Sequence, residues 1–410
     1  MKTFFYCLHL AVLTALIVCV LGTKRLIKCT LYELPESANK SVSLIHIRAD
    51  STEDSVHYLW SSFNLPSMIV ARTATDTNVN VDIEKLRTFQ SGSISFNASL
   101  LAFKGLTISK LWQLSYETDT AEIPDTSKIE SLNLADFQWS KVTNKTLSCS
   151  DNAASIKLNG FSDDELFSEK GLFELEFSVV GEEELAPEFP HLIYTGNSTQ
   201  IKIGLDNLYS PNSSRVRYGF EMELFSPLTQ ACSNLECKHV DNTLLSDEFS
   251  PGIFSVSCDV DILSPCSEEN KENGSFLSWK PVAYISKEPS VANSSDVQLT
   301  SQCSPLSSIT VQSIAESFFN EKENVVINAF NVTMGTVGDG FYPKTKYVAW
   351  SLMIGTGVAV HSQLSITAIL FITIGMSALL LFLVGGAGYY AVRWCRKKDD
   401  DLLLGDSLIN

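Results

Sequence analysis

The chain runs to 410 residues, with 30 Lys+Arg against 47 Asp+Glu for a net charge of −17. That acidity argues against nucleic acid and anionic membrane surfaces as partners. It suits an acidic compartment, where partial protonation of carboxylates relieves self-repulsion.

Residues 1–22 carry the marks of a secretory signal. Lys2 supplies the positive start, Leu8 to Leu21 is apolar except for His9 and Thr14, and Val20 and Gly22 are small residues before a cut. The run is short for a spanning helix, which needs roughly 20 apolar residues. Beyond it, residues 23–363 form the expected ectodomain. Setting aside Lys2 and the charged residues from Arg393 onward leaves 25 Lys+Arg and 43 Asp+Glu there, a charge near −18.

The ectodomain reads as strands. Apolar and polar residues alternate in Phe173 to Val179, Ile201 to Leu205 and Val216 to Leu224, the last with Arg217, Gly219, Glu221 and Glu223 on its polar face. Further expected strands are Leu26–Leu34, Val42–Ala49, Val56–Trp60, Met68–Ala71, Ile94–Phe103, Leu277–Ala283, Val325–Val332 and Val348–Met353. The best short helix candidate is Ile309 to Phe319. The fold class expected is all-β: an antiparallel β-sandwich ectodomain followed by one transmembrane helix. Two modules are expected, 23–180 and 191–360, joined by an acidic, proline-containing linker at 181–190. A long loop within one large sandwich is the alternative.

Asn39, Asn97, Asn144, Asn197, Asn212, Asn273, Asn293 and Asn331 each begin an Asn-x-Ser/Thr sequon, and all lie between the signal and the second hydrophobic segment. Confined to one side of a span, they read as N-glycosylation sites on a luminal or extracellular surface. In that oxidising space Cys29, Cys149, Cys232, Cys237, Cys258, Cys266 and Cys303 are candidate disulfide cysteines, an odd set whose connectivity stays open. Cys258 with Cys266 would close a small loop, and Cys232 or Cys237 would reach Cys303. The Cys232-x4-Cys237 pair has no companion at zinc-finger spacing, so no metal is expected.

Residues 364–392 are free of charge, and Arg393, Arg396, Lys397 and Lys398 follow at once. This is a transmembrane helix with its C-terminal side cytosolic. Gly375, Gly385, Gly386 and Gly388 are either close-approach surfaces for another helix or simply tolerated. The tail, 393–410, holds Asp399 four residues before Leu403 and Leu404, an acidic dileucine signal of the kind clathrin adaptors bind; Leu408-Ile409 is a second candidate. Cys395, beside the membrane, is a palmitoylation candidate.

No catalytic constellation emerges. His46, His57, His191, His239 and His361 form no His-Glu-x-x-His motif, and there is no nucleophile elbow or phosphate loop. His46 and His57 fall inside expected strands and read as packed residues. No cofactor is expected.

Leu44-Ile-His-Ile-Arg-Ala49, His57-Tyr-Leu-Trp-Ser-Ser62, Leu134-Ala-Asp-Phe-Gln-Trp139, Trp279-Lys-Pro-Val-Ala-Tyr284, Ala329-Phe-Asn-Val-Thr333 and Trp350-Ser-Leu-Met353 resemble, in the same order, stretches of the glycosylated lysosomal membrane protein family. The resemblance implies a non-enzymatic type I lysosomal glycoprotein. It also implies an accessory subunit that shields from luminal proteases a multi-spanning transporter of the major facilitator superfamily, one that exports dipeptides. Two departures stand out. Ser407-Leu-Ile-Asn410 lacks the tyrosine of the family's tail signal, and Thr199 and Asn328 stand where relatives carry cysteines. The competing reading is a luminal enzyme or small-ligand-binding glycoprotein, which requires a deep pocket with paired titratable groups.

Overall fold

Strict alternation builds the ladders. In the Leu172–Val180 strand, Phe173, Leu175, Phe177 and Val179 are buried in the core while Glu174, Glu176 and Ser178 face the other way. Val216–Pro227 does the same with Val216, Tyr218, Phe220, Met222 and Leu224. The computed structural model describes residues 24–37, 40–90, 92–120, 122–125, 128–168, 170–182, 184–185, 193–210, 214–227, 242–244, 253–258, 274–280, 282–305, 313–319, 325–357, 372–377 and 382–394.

Two antiparallel sheets face each other across that core. The first runs in the order Leu26–Ser37, Lys40–Asp50, Asp54–Ser61, Ser67–Ala74, Leu100–Ser115, Val216–Pro227, Val325–Met334, Ser294–Pro305. The second runs Ser148–Cys149, Ala153–Phe161, Leu172–Val180, Ser198–Asp206, Tyr347–Thr356, Ser275–Trp279, Ile253–Cys258. Trp60 stacks on Phe177 and Phe220 meets Phe173 edge-on, ring pairs that join the two inner faces.

Both margins are stitched. At one, the short Val282–Tyr284 strand pairs with Ser294–Pro305 of the first sheet and with Tyr347–Thr356 of the second. At the other, a disulfide joins Cys29 on the first strand to Cys149, and Ile27 N–H donates to Asp151 O at 2.9 Å.

The expected division at 181–190 is not one the sheets follow. Leu172–Val180 pairs directly with Ser198–Asp206, and Leu100–Ser115 pairs with Val216–Pro227, so ladders cross the segment. Met1–Val360 therefore forms one compact unit. Gly181 itself is part of the fold: its N–H bonds Asn152 O, its carbonyl accepts from Arg25 N–H, and a Cβ there would press on the Arg25 backbone. The pairings thus join both sides of the segment in a single sandwich, and within the described residues Glu184–Leu185 pairs with Ile193–Tyr194.

Other boundaries shifted too. Expected Ile94–Phe103 is two strands, Ile94–Phe96 and the long Leu100–Ser115, because Asn97 to Ser99 turn the chain between them. Leu277–Ala283 likewise divides at Lys280. The helix occupies Ile314–Phe319; the earlier part of its expected range lies outside the described residues. Ala153–Phe161 and Ser294–Pro305 were not anticipated.

Among the described residues, the second unit, His361–Asn410, contains one helix long and apolar enough to cross a membrane, Ile372–Trp394. Residues 364–371 of the expected span, and the whole tail after Trp394, lie outside the described residues.

Candidate functional site

The outer face of the first sheet gathers titratable groups, some paired in ion pairs and others, His46, His57 and Glu223, in none. It is not simply a solvated face. Ile314–Phe319 and the paired Val79–Val81 and Ile94–Phe96 strands cover part of it, and Leu44, Leu59, Ile69, Phe225, Phe318 and Phe319 make a second apolar cluster there.

His46 and His57 sit beneath that cover with rings stacked at 5.2 Å. His46 Nε2 lies 3.0 Å from His57 Nδ1, and His57 Nε2 lies 3.0 Å from Thr73 Oγ1. The Thr73 hydroxyl has one proton and two carbonyls in reach, Ala74 O at 3.0 Å and Ser55 O at 3.4 Å; given to either, it leaves Oγ1 to accept from His57 Nε2–H. His57 Nδ1 is then the acceptor for His46 Nε2–H. This chain of bonds takes both rings as neutral imidazoles. Burial pulls His46 down to about 3, with His57 and Arg48 adding to it and Asp50 opposing. Burial, with Arg48, pulls His57 down to about 4, again against Asp50. Phe96 closes the site edge-on above His57.

Further along the same face, Val216–Pro227 presents Glu221 and Glu223. A bulge in the ladder leaves Ser109 extra between Ile108 and Lys110, so both reach Glu221: Ser109 Oγ donates at 2.9 Å and Lys110 Nζ at 3.1 Å. Glu223 is less well served. Its Oε2 is buried without a partner, and burial, then Glu316 and Glu221, push its carboxyl up to about 7 against the pull of Lys110. Its cross-strand row continues through Thr107 to Ser67. Among the described residues no group of three His, Cys, Asp or Glu is placed to hold a metal ion.

Arg217, on the same strand, has the opposite surroundings. It donates to both oxygens of Asp339 at 3.0 and 2.9 Å, to Asp119 at 2.8 Å, and to the carbonyls of Thr120 and Thr336. Its guanidinium also lies over the rings of Phe341 and Tyr116, at 4.3 and 5.0 Å. Asp339 accepts further bonds from Ser295 Oγ, Thr336 N–H and Phe341 N–H. Gly335, at φ +154°, leaves room for the Arg217 stem where a Cβ would collide. A small, open recess borders Arg217, Asp339, Tyr342 and Tyr347. The charges lining it are spent on each other, which makes this a structural hub rather than a receptor for a ligand.

Comparison with known proteins decides the family. Residues 43–397 match the family model described as glycosylated lysosomal membrane protein. The chain belongs to the glycosylated lysosomal membrane protein family. Members of that name from Danio rerio and Homo sapiens are both 25% identical, over 367 and 360 residues. The alignments cover 88% of this chain and 86% of the fish relative, and 84% and 82% for the human one. Glycosylated lysosomal membrane protein A of Xenopus laevis is 24% identical, covering 86% of each chain. These relatives are named as lysosomal membrane proteins, not as enzymes. Among solved structures, a galactose 1-epimerase from Lactobacillus acidophilus NCFM aligns at 11% identity over 80% of this chain and 98% of its own, with a TM-score of 0.34. Overlap that loose carries nothing about chemistry.

In this family member the described sequon asparagines differ in exposure. Asn97 and Asn144 are exposed, and Asn197, Asn293 and Asn331 are half-buried. Asn97 Oδ1 accepts from Asn78 N–H, and Asn331 lies opposite Glu221 in the ladder. Asn39, Asn212 and Asn273 lie outside the described residues, as do Cys232, Cys237, Cys266 and the signal Asp399, Leu403 and Leu404. Cys258 ends the Ile253–Cys258 strand, and Cys303 stands opposite Asn328 in register. Thr199 instead pairs with Val179 and Ile354, so it shares no ladder with Asn328.

Sequence reasoning placed Arg217, Glu221 and Glu223 on one polar strand face but did not separate the hub from the orphaned carboxyl. The available signal was the glycine-and-aspartate loop Gly335 to Phe341, whose turn chemistry marks a tight structure. Arg25 and Asp54 were not singled out at all.

Proposed function

We propose that this chain is a non-enzymatic accessory subunit of a multi-spanning lysosomal transporter of the major facilitator type, one that exports dipeptides. The sandwich stands in the lumen, the Ile372–Trp394 helix spans the membrane, and the tail meets a clathrin adaptor through Asp399, Leu403 and Leu404. What chiefly supports this reading is that the charged groups around the Arg217 recess satisfy one another, in a sequon-bearing unit of a chain that also carries a membrane-length helix. A bulky glycosylated sandwich over a transporter's luminal loops would block protease access, and association lowers the population of cleavable open states. Removing this chain from cells should shorten the transporter's lysosomal half-life, with recovery under protease inhibition. An unchanged half-life would refute the proposal.

One observation favours the competing reading. Glu223 combines a carboxyl near neutrality with a buried unpaired oxygen, features that mark acid–base sites elsewhere. Small-ligand binding at this face predicts that Glu223→Gln abolishes a ligand-induced rise in melting temperature, whereas the accessory role predicts unchanged transporter protection.

A further inference from the structure

Asn197 differs from the other described sequon asparagines in what its side chain holds. Its Oδ1 accepts from Arg25 Nε at 2.7 Å. Arg25 is buried, pairs with Asp54 at 2.5 Å and bonds the carbonyls of Ala49 and Asp54; Asp54 in turn pairs with Arg72. Arg25 N–H bonds Gly181 O beside the second sheet. Asn197 thus supplies the neutral acceptor that completes a buried charge cluster where the two sheets meet.

The rest of the sequon is committed as well. Ser198 and Thr199 are fully buried, and the Thr199 hydroxyl donates to Ser178 O at 3.0 Å. Asn197 O accepts from Thr356 N–H at 3.0 Å, and Ser198 pairs with Gly355. Oligosaccharyl transfer needs a sequon in a free loop with the asparagine amide and the threonine hydroxyl both accessible. In the folded sequon the Thr199 hydroxyl is buried and committed to Ser178 O, so the second requirement is not met. The sequon stays open only until Tyr347–Thr356 docks, and that strand is the last of its ladder to be synthesised.

We propose that Asn197 is both a modification site and a structural acceptor: it is glycosylated before the last strand docks, and its amide oxygen then holds Arg25 at the seam. In the transfer, Nδ2 forms a bond to C1 of the oligosaccharide, the C1–O bond to a lipid-pyrophosphate donor breaks, and Nδ2 gives up one proton as the lipid pyrophosphate leaves. Oδ1 takes no part and keeps its lone pairs for Arg25. The amide stays planar, and Asn197 is half-buried rather than enclosed. This rests on the luminal placement proposed above but not on the transporter partnership.

The test uses the full-length chain expressed in secretory cells, with pulse-chase glycopeptide mapping and thermal unfolding of purified protein. The Asn197 peptide should be glycosylated at the earliest time point, with no later rise. Asn197→Asp and Asn197→Gln both remove the sugar, but only the aspartate keeps an acceptor oxygen in place. Asn197→Gln should lower the melting temperature by about 2–4 °C while Asn197→Asp stays near the parent. Equal behaviour of the two variants overturns the acceptor role. An unmodified Asn197 among modified sequons, or occupancy that climbs during the chase, overturns the early modification. If no sequon is modified, the luminal placement itself fails.

Discussion

Arg217 and Glu223 sit on one strand and point to the same side of the sheet, yet burial acts on them in opposite ways. Around Arg217 the fold supplies two carboxylates, two carbonyls and two aromatic faces, so the guanidinium stays charged and Asp339 is held well below the usual carboxylate range by it and by the Phe341 and Thr336 amides. Around Glu223 it supplies other carboxylates and one lysine, so the carboxyl takes up a proton near neutrality. The His46–His57 pair follows the second pattern with the opposite sign of group, its pKa values lowered because burial, helped by Arg48, outweighs Asp50. A buried charge with its complement becomes architecture; a buried titratable group without one surrenders its charge.

The comparison breaks most visibly at the hub. Arg217→Ala leaves Asp339 buried and uncompensated and should cost about 3–5 kcal/mol in denaturant unfolding. A loss below about 1 kcal/mol would mean the pair adds no more than surface ion pairs do.

A crosslink elsewhere calibrates that figure. Cys29 and Cys149 are 120 residues apart, so replacing both by serine frees a long loop in the unfolded chain and should cost about 2–5 kcal/mol. Because this acts on the opposite margin of the sandwich, the double serine and Arg217→Ala should add in combination. Marked non-additivity would tie the margins into one network.

The outer face gives the pH dependence. The folded pKa values of about 3 and 4 for His46 and His57 lie below the unfolded value of 6.5, so the unfolded chain binds more protons through that window. Stability therefore falls as pH drops below 6.5, by at most about 1.4 kcal/mol per pH unit for each ring, until the folded rings protonate. In NMR titration these two imidazoles should show no protonation shift between pH 5 and 7. A midpoint near 6.5 for either would remove the neutral relay.

Glu223 should oppose that trend with a smaller effect. Its folded pKa of about 7 exceeds the unfolded 4.5, so the folded state binds the extra proton and stability falls as pH rises from 4.5 to 7. Glu223→Gln should therefore stabilise at pH 7 and change little at pH 4.5, measured by unfolding at both. Equal effects at the two values would show the carboxyl to be ordinary.

Much of this architecture was legible in the chain. Alternation in Phe173 to Val179 and Val216 to Leu224 named strands and their inward residues, because period-two patterning is local and each apolar face needs a core. The sequons, the apolar stretch before Arg393 and six ordered segments pointed to the family. Ladder partners were not legible. The acidic, proline-bearing 181–190 looks like a linker because nothing local reveals that Leu172–Val180 pairs with Ser198–Asp206 beyond it. Cys149 likewise carries no sign of Cys29.

By itself, then, the sequence determined the alternating strands such as Phe173 to Val179 and Val216 to Leu224 with their buried faces, the membrane-length helix and the family, all properties of neighbouring residues or of overall pattern. Only the tertiary structure decided that a polar strand face would lie partly under Ile314–Phe319, that Arg217 would find its complement and Glu223 would not, and that a sequon asparagine would hold Arg25. Charge state and hydrogen-bond partners depend on what long-range pairing brings within about 3 Å, and spacing along the chain does not encode that distance.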